Sequence, residues 1–381
     1  MRLISADGRW WWNGESWQRL PEAVAAETAT GAATDEAPAP PDPAATPESA
    51  HLVANGASAF MPGRYDRSAA LVPARGFAGR LYQFSGGRIN LGPSATELRH
   101  MRWLEAARTP AVNPPLHIAV ASAKGGVGKS TMALLLASRM GLVRTDRIIA
   151  VECNPHHGTF RSRIRTNHDR SVKDLIDYLD GPEVERDEDL TLPMLHRFTT
   201  HVPESRLEVI TAPTDPKIRQ ALSVDDYRRV FKVLERYFDI IVLDLGTGLL
   251  DDTTKFILEN VCDQLVVVAP AELDGAELGA FTLEFVADSR GVDWVRERAV
   301  VVINRVVKDT EVDVPGMESY FRGWARACLR ISQDPHLKTG GIFDWNRISR
   351  VANDQVLALT AEVASGFSLG RSSQTASPHP G

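Results

Sequence analysis

Two lysines five residues apart in a glycine-rich run, Ala123-Lys124-Gly125-Gly126-Val127-Gly128-Lys129-Ser130, are the residues of this chain best suited to chemistry on phosphate. Glycines let a backbone curl so that successive N–H groups converge on phosphate oxygens, and the start of a following helix adds its positive end. In such a cradle Lys129 meets the β- and γ-phosphates, the Ser130 hydroxyl reaches Mg²⁺, and Thr131 completes the first turn. The cradle needs a strand before it and a helix after it. Leu116–Ala121 is a short β-rich run behind Pro114-Pro115, and residues 131–140 are strong helix formers, so both are present. A glycine turn that binds nothing is the bland alternative, and two lysines in that context argue against it.

A second candidate lies further along the chain. Phe238-Asp239-Ile240-Ile241-Val242-Leu243-Asp244 is an apolar strand that ends in an acid, the form of a Walker B segment. Asp244 at the carboxyl end of a parallel strand lies where open α/β sheets bind ligands, and it would reach Mg²⁺ through a water.

Positioning these residues requires a sheet. Apolar runs recur at Arg147–Glu152, Leu207–Ala212, Asp239–Asp244, Gln264–Pro270, Ala299–Asn304 and Ala327–Ser332, with helical stretches between them. Continuous β-branched runs separated by helices predict an α/β class fold, a doubly wound, mostly parallel sheet over residues 116–367, and the glycine-lysine loop after its first strand makes that sheet one of the P-loop NTPase type. Ahead of it, residues 1–20 carry Trp10-Trp11-Trp12, Asn13-Gly14 and Trp17, which read as a Trp-rich hairpin with Asn-Gly at its tip. Residues 21–59 hold six acids and no lysine or arginine among Ala, Pro and Thr, the composition of a disordered, self-repelling tether. Residues 60–115 form a neck that regains aromatic and basic character, and Ser94 with Glu97 offers a capping box for a helix near 95–108. Residues 368–381 are Ser/Pro-rich and are expected to fray.

The whole chain of 381 residues is 43% hydrophobic and 24% charged, with a formal charge of −6. Cys153, Cys262 and Cys328 are too scattered for a zinc site or a disulfide framework, which points to a reducing cytoplasm. No apolar run approaches the roughly 18 residues of a membrane span, and the N-terminus lacks an apolar leader core. The expectation is a cytoplasmic protein without stable membrane insertion.

The phosphate cradle departs from the common G-x-x-x-x-G-K-[ST] pattern, with Ala123 at its first position and a lysine directly after. K-G-G-x-G-K-[ST] resembles the deviant Walker A of the ParA/MinD family of ATPases. That resemblance implies an ATP-dependent dimer in which Lys124 reaches the partner's nucleotide. It places Glu152 and Asn154, in Val151-Glu152-Cys153-Asn154-Pro155, where the family has D-x-D-P, whose second acid orients the attacking water. An amide holds a water but cannot take its proton, so hydrolysis is expected to be slow. Asn304, in Val302-Ile303-Asn304-Arg305, matches the family's base-reading asparagine, and Asp334 in Asp334-Pro335 occupies a second base-side loop. Together with Ser85-Gly86-Gly87-Arg88-Ile89-Asn90-Leu91-Gly92-Pro93-Ser94 and Asp244-Leu245-Gly246-Thr247-Gly248-Leu249, these motifs are similar to actinobacterial MinD-like ATPases found with type VII (ESX) secretion systems. In those relatives the second acid is also commonly Asn, whereas Glu152 stands where they have Asp.

Three functions follow as expectations. The first is an ATP- and Mg²⁺-operated dimerisation switch whose partner is a protein, a secretion component by resemblance. The second is a nucleotide-sensing adaptor with little hydrolysis. The third is a DNA-partition ATPase, for which Arg322, Arg326 and Arg330 would share one face if that stretch were helical. The acidic balance disfavours it.

Overall fold

The computed structural model describes residues 10–12, 17–19, 76–111, 114–154, 158–220 and 222–370. It divides into two units, Met1–Ala70 and Leu71–Gly381. In the first, strands β1 (Trp10–Trp12) and β2 (Trp17–Arg19) pair antiparallel with Trp12 opposite Trp17 and Trp10 opposite Arg19. The Asn13-Gly14 tip, the tether, the start of the neck and the tail from 371 lie outside the described residues.

The second unit runs α1 (Gly76–Phe84), α2 (Ala95–Ala107), β3 (Leu116–Ala121), α3 (Lys129–Val143), β4 (Ile148–Glu152), α4 (Val172–Leu179), β5 (Thr200–Val202), β6 (Leu207–Ile210), α5 (Val224–Leu234), β7 (Ile240–Asp244), β8 (Gln264–Pro270), α6 (Leu273–Arg290), α7 (Val292–Arg298), β9 (Ala299–Val306), α8 (Val314–Trp324), β10 (Ala327–Ser332) and α9 (Arg350–Ser365). The sheet order is β10-β9-β8-β3-β7-β4-β6-β5, parallel except for the β5–β6 pair. This is the doubly wound α/β architecture that the recurring apolar runs predict.

The strands are buried on both faces, and alternate residues enter different cores. Ile118, Val120, Ile240, Val242, Val266 and Val268 pack under α3 and α9, where Met132, Leu135, Met140, Val356 and Leu359 meet them. Ala119, Ala121, Ile241, Leu243, Leu265 and Val267 face α4, α5, α6 and α8 with Leu175, Phe231, Leu283 and Phe321. Period-2 side chains against helices on both sides explain why the strands read as unbroken apolar runs rather than as alternation. The two edge strands depart from that rule: β10 is only half-buried at four of its six residues, and β5, three residues long with His201 exposed between buried Thr200 and Val202, leaves no such run. It pairs antiparallel with β6, which only the folded sheet reveals.

The capping box at Ser94 forms, with Glu97 N donating to Ser94 Oγ at 3.3 Å and Ser94 N donating to Glu97 Oε2 at 2.8 Å. Helix α2 lies on α9 through Ala107, Leu357 and Ala361, flanked by Trp103 and Leu104. The buried Arg144 guanidinium donates to the Ala107 and Thr109 carbonyls, each at 2.7 Å. Helix α2 and the residues just after it are thus packed onto the α/β core.

Arg322, Arg326 and Arg330 do not share a helical face. Helix α8 stops at Trp324, so Arg322 is helical, Arg326 lies in the connection and Arg330 is in β10. Arg322 and Arg330 both pair with Glu318, and Arg326 donates to Gln264 Oε1 at 3.1 Å and the Glu362 carbonyl at 2.8 Å. Arg322 and Arg330 share one carboxylate and Arg326 turns inward, so the three do not form the single helical face that gave a DNA-holding surface its specific support. Among the described residues, no helix is long and apolar enough to cross a membrane.

Candidate functional site

The site is built at the carboxyl ends of the parallel strands, in the order β10, β9, β3, β7, β4. The loop from β3 to α3 turns on two left-handed glycines, Gly126 at φ 74° and Gly128 at φ 99°. Its backbone is held from β9. Asn304 Nδ2 donates to the Val127 carbonyl at 2.7 Å, and Arg305, itself left-handed at φ 60°, donates to the Gly126 carbonyl. Asn304, expected on the base side by resemblance, therefore also fixes the glycine loop. The closeness is such that a Cβ at Gly128 would stand 2.6 Å from Asn304 Nδ2.

A cleft of about 870 Å³ opens over this loop, within the range of small-molecule and cofactor sites. Gly125, Gly126, Gly128, Lys129, Ser130 and Thr131 line it. Asn304 and Asp334 border one end, Asn154 and Thr247 the other, so the structure brings together residues separated by as many as 209 positions in the chain (Gly125 to Asp334).

Lys129 is only 6% exposed, and burial pushes its ammonium pKa down while the charge of Asp244 opposes the shift. Asp244 is fully buried at the end of β7. Neither carboxylate oxygen has a hydrogen bond of good geometry among the described residues. Burial raises its pKa to about 7, against the downward pull of the nearby Ser130 hydroxyl. An orphaned buried carboxylate beside a hydroxyl and an ammonium is a hard-oxygen donor set in need of a cation, which suits Mg²⁺.

Lys124 turns away from this cleft. Its ammonium lies 2.6 Å from Glu272 Oε2 and 2.7 Å from Asp274 Oδ2, both at the start of α6, and is partly solvent-exposed. The hydrogen bonds it donates to Asp274 and then to Glu272 raise its pKa. The two lysines of the motif are thereby separated by function-bearing geometry: one is buried in the cleft, the other held at the surface.

Glu152 and Asn154 differ in the same way. Asn154 is buried and borders the cleft. Glu152, expected beside the reacting groups, is instead a structural tie. Its Oε1 accepts from Thr159 N and from Phe160 N at 2.9 Å, and its Oε2 accepts from Ala212 N at 2.9 Å. Burial raises its pKa, opposed by those backbone bonds and by Arg219. The glutamate side chain reaches across to the loop after β6 at Ala212. Replacing Glu152 by Ala leaves three donors without acceptors, so a loss on the order of 3 kcal/mol is expected. Thermal unfolding should show a midpoint lowered by about 6–12 °C, and an unchanged midpoint would remove Glu152 from this role.

Asp334 is likewise more occupied than its place in a base-side loop suggests. It accepts from His336 N at 2.9 Å, Leu337 N at 3.1 Å and Ser349 N at 2.8 Å, capping a one-turn helix and tying it to α9. Arg163 and Thr159, on the loop after β4, also line the cleft. No spacing rule marks either one in the sequence. Thr247, two residues after Leu245, sits in the glycine turn that follows the Walker B strand, and its signal is that turn.

Residues 118–341 match the family model for the CobQ/CobB/MinD/ParA nucleotide binding domain. The chain belongs to that family of nucleotide-binding α/β domains. Over 285 residues it is 28% identical to the ESX-1 secretion-associated protein EspI of Mycobacterium tuberculosis, covering 74% of this chain and 41% of that protein. The chain thus spans under half the length of this relative. Among solved structures it resembles the cell division ATPase MinD of Pyrococcus furiosus, at 18% identity and a TM-score of 0.51, covering 65% of this chain and 98% of the other. It also resembles a ParA family ATPase from Chlorobium tepidum TLS, at 17% identity and a TM-score of 0.49, covering 66% and 96%.

Proposed function

We propose that this chain is a slow ATPase that works as an ATP-dependent dimerisation switch. The observation that carries the reading is the division of labour between the motif's lysines. Lys129 and Ser130 line one cleft with Asp244 buried beside them, whereas Lys124 is held outside it on Glu272 and Asp274, partly exposed where a second subunit can be met. In this reading the glycine loop and Lys129 hold the phosphates, and Ser130 and Asp244 hold Mg²⁺, which supplies charge neutralisation on the phosphate oxygens. Asn154 holds the attacking water. The water oxygen bonds to the γ-phosphorus, the bond to the β–γ bridging oxygen breaks with its electron pair passing to ADP, and the water's proton leaves to phosphate or solvent. With no carboxylate to take that proton at Asn154, turnover is slow.

The switch acts on a protein, and the likeness to a secretion-associated protein supports a secretion component as that partner in the cytoplasm. Asn154 also favours a second reading, an adaptor that binds ATP and scarcely hydrolyses it.

Size-exclusion and phosphate-release measurements separate these. Wild type with ATP and Mg²⁺ should elute as a dimer and release phosphate. Lys124→Ala should bind nucleotide as a monomer, and Lys129→Ala should release no phosphate above background. Tight ATP binding with no release by wild type would leave the adaptor reading; an ATP-dependent dimer formed equally by Lys124→Ala would remove that lysine from the interface.

A further inference from the structure

The loop after β4 brings an unforeseen cation to the cleft. Glu152 accepts from the N–H groups of Thr159 and Phe160 and so pins the start of the one-turn helix Phe160–Arg163. The Arg163 carbonyl accepts from Phe343 N at 3.1 Å, which holds the other end. From this braced turn the Arg163 side chain lines the cleft together with Lys129, Ser130 and Asn154. Its Nε is buried with no hydrogen-bond partner among the described residues, and so is the Thr159 hydroxyl four residues earlier. Burial lowers the Arg163 pKa, opposed by the charge of Asp244 and reinforced by that of Arg305.

A guanidinium in such surroundings is costly unless an acceptor completes it, since buried donors without partners are rare in native structures. Asp244 attracts it without hydrogen-bonding it, and Arg305 repels it. Lys129, Arg163 and Arg305 together outweigh the two nearby carboxylates, Asp244 and Glu152, three cations against two anions. The excess charge calls for an anion.

The strand order says which part of the anion. Asn304, near the carboxyl end of β9, and Asp334, after β10, lie on one side of the glycine loop, whereas Asp244, the last residue of β7, and Arg163, after β4, lie on the other. A nucleotide whose base lies toward β9 and β10 extends its terminal phosphate toward β7 and β4. We infer that Arg163 is a catalytic residue acting within its own subunit: its guanidinium binds the terminal phosphate of the nucleotide and stabilises the charge on the phosphoryl oxygens during transfer. The inference rests on the ATP reading above. Arginine in this role presents a planar fork that a lysine ammonium cannot reproduce.

The test compares ATP with ADP as probes. Titration of wild type, Arg163→Ala and Arg163→Lys with fluorescent ADP and non-hydrolysable ATP analogue, each with Mg²⁺, is followed by single-turnover phosphate release. Arg163→Ala should bind ADP within about threefold of wild type. Its preference for the triphosphate over ADP should fall about tenfold, and its hydrolysis rate at least 100-fold where wild type hydrolyses, the scale of other phosphate-clamping arginines. Arg163→Lys should restore part of the preference and little of the rate. The same loss of triphosphate preference in a Lys124→Ala background, which binds nucleotide as a monomer, shows that the contact arises within one subunit. An Arg163→Ala protein that binds ADP normally and keeps the wild-type preference and rate would overturn the inference while leaving the ATP reading intact. Equal weakening of both nucleotides would also overturn it, by reducing Arg163 to a support of the loop. If wild type binds neither nucleotide, the ATP reading falls and the inference falls with it.

Discussion

Replacing Asp244 by Asn is expected to stabilise the nucleotide-free protein and at the same time abolish its Mg²⁺-dependent ATP binding and hydrolysis. The side chain is fully buried, and its oxygens have no well-formed hydrogen bond among the described residues. Its folded pKa, raised to about 7 from an ordinary value of 3.8, states the cost. Because the folded state binds the proton more tightly than the unfolded state, this group lowers stability as pH rises from about 4 to about 7 and by a constant amount above that. The full penalty is on the order of 4 kcal/mol. The amide keeps the shape without the charge but retains its own unpartnered polar atoms, so the net gain is smaller. Calorimetry should give a midpoint roughly 5 °C above wild type at pH 8 and a gap that shrinks toward pH 5. Nucleotide titration should show that Mg²⁺ no longer improves affinity, and phosphate release should drop by at least 100-fold. A variant less stable than wild type at pH 8 would mean that Asp244 is satisfied within the fold. Retention of a functional burden at a stability cost is expected of a site that a cation must complete.

Gly128→Ala carries the second large effect. The position has φ 99°, where an L-residue is strained, and a Cβ there would approach Asn304 Nδ2 to 2.6 Å. The amide must then leave the Val127 carbonyl, and the loop loses its tie to β9. Nucleotide affinity should fall at least 100-fold, about 2.7 kcal/mol, as read by calorimetric titration. The remainder of the fold should persist, because the clash is confined to one loop and one side chain. A coupled effect follows: Asn304→Ala alone costs affinity, but added to Gly128→Ala it should cost little more, since the clash has already displaced the amide. Additive losses would show that Asn304 and the glycine loop act independently.

Much of this molecule is legible in the chain. The strands β3, β4, β6, β7, β8 and β9 announce themselves because a parallel sheet buried on both faces demands largely apolar runs. The α2 capping box does so because its two bonds are local to four residues. Strand β5 escapes because three residues at an edge need no such run. The arginines at 322, 326 and 330 mislead because equal spacing is meaningful only within one helix, and α8 ends between the first and the second.

The amino-acid sequence by itself determined the phosphate cradle, the acid at the end of β7 and the layered α/β architecture, since each depends on residues near one another in the chain or on periodic burial. Only the tertiary structure decided the rest: that Asn304 and Arg305 hold the cradle's carbonyls, that Lys124 rests on Glu272 and Asp274, that Glu152 is consumed as a tie, and that Arg163 enters the cleft. Those are contacts between loops that follow different strands. The order of strands in the sheet sets them, and that order is a property of the packed fold rather than of any local stretch of sequence.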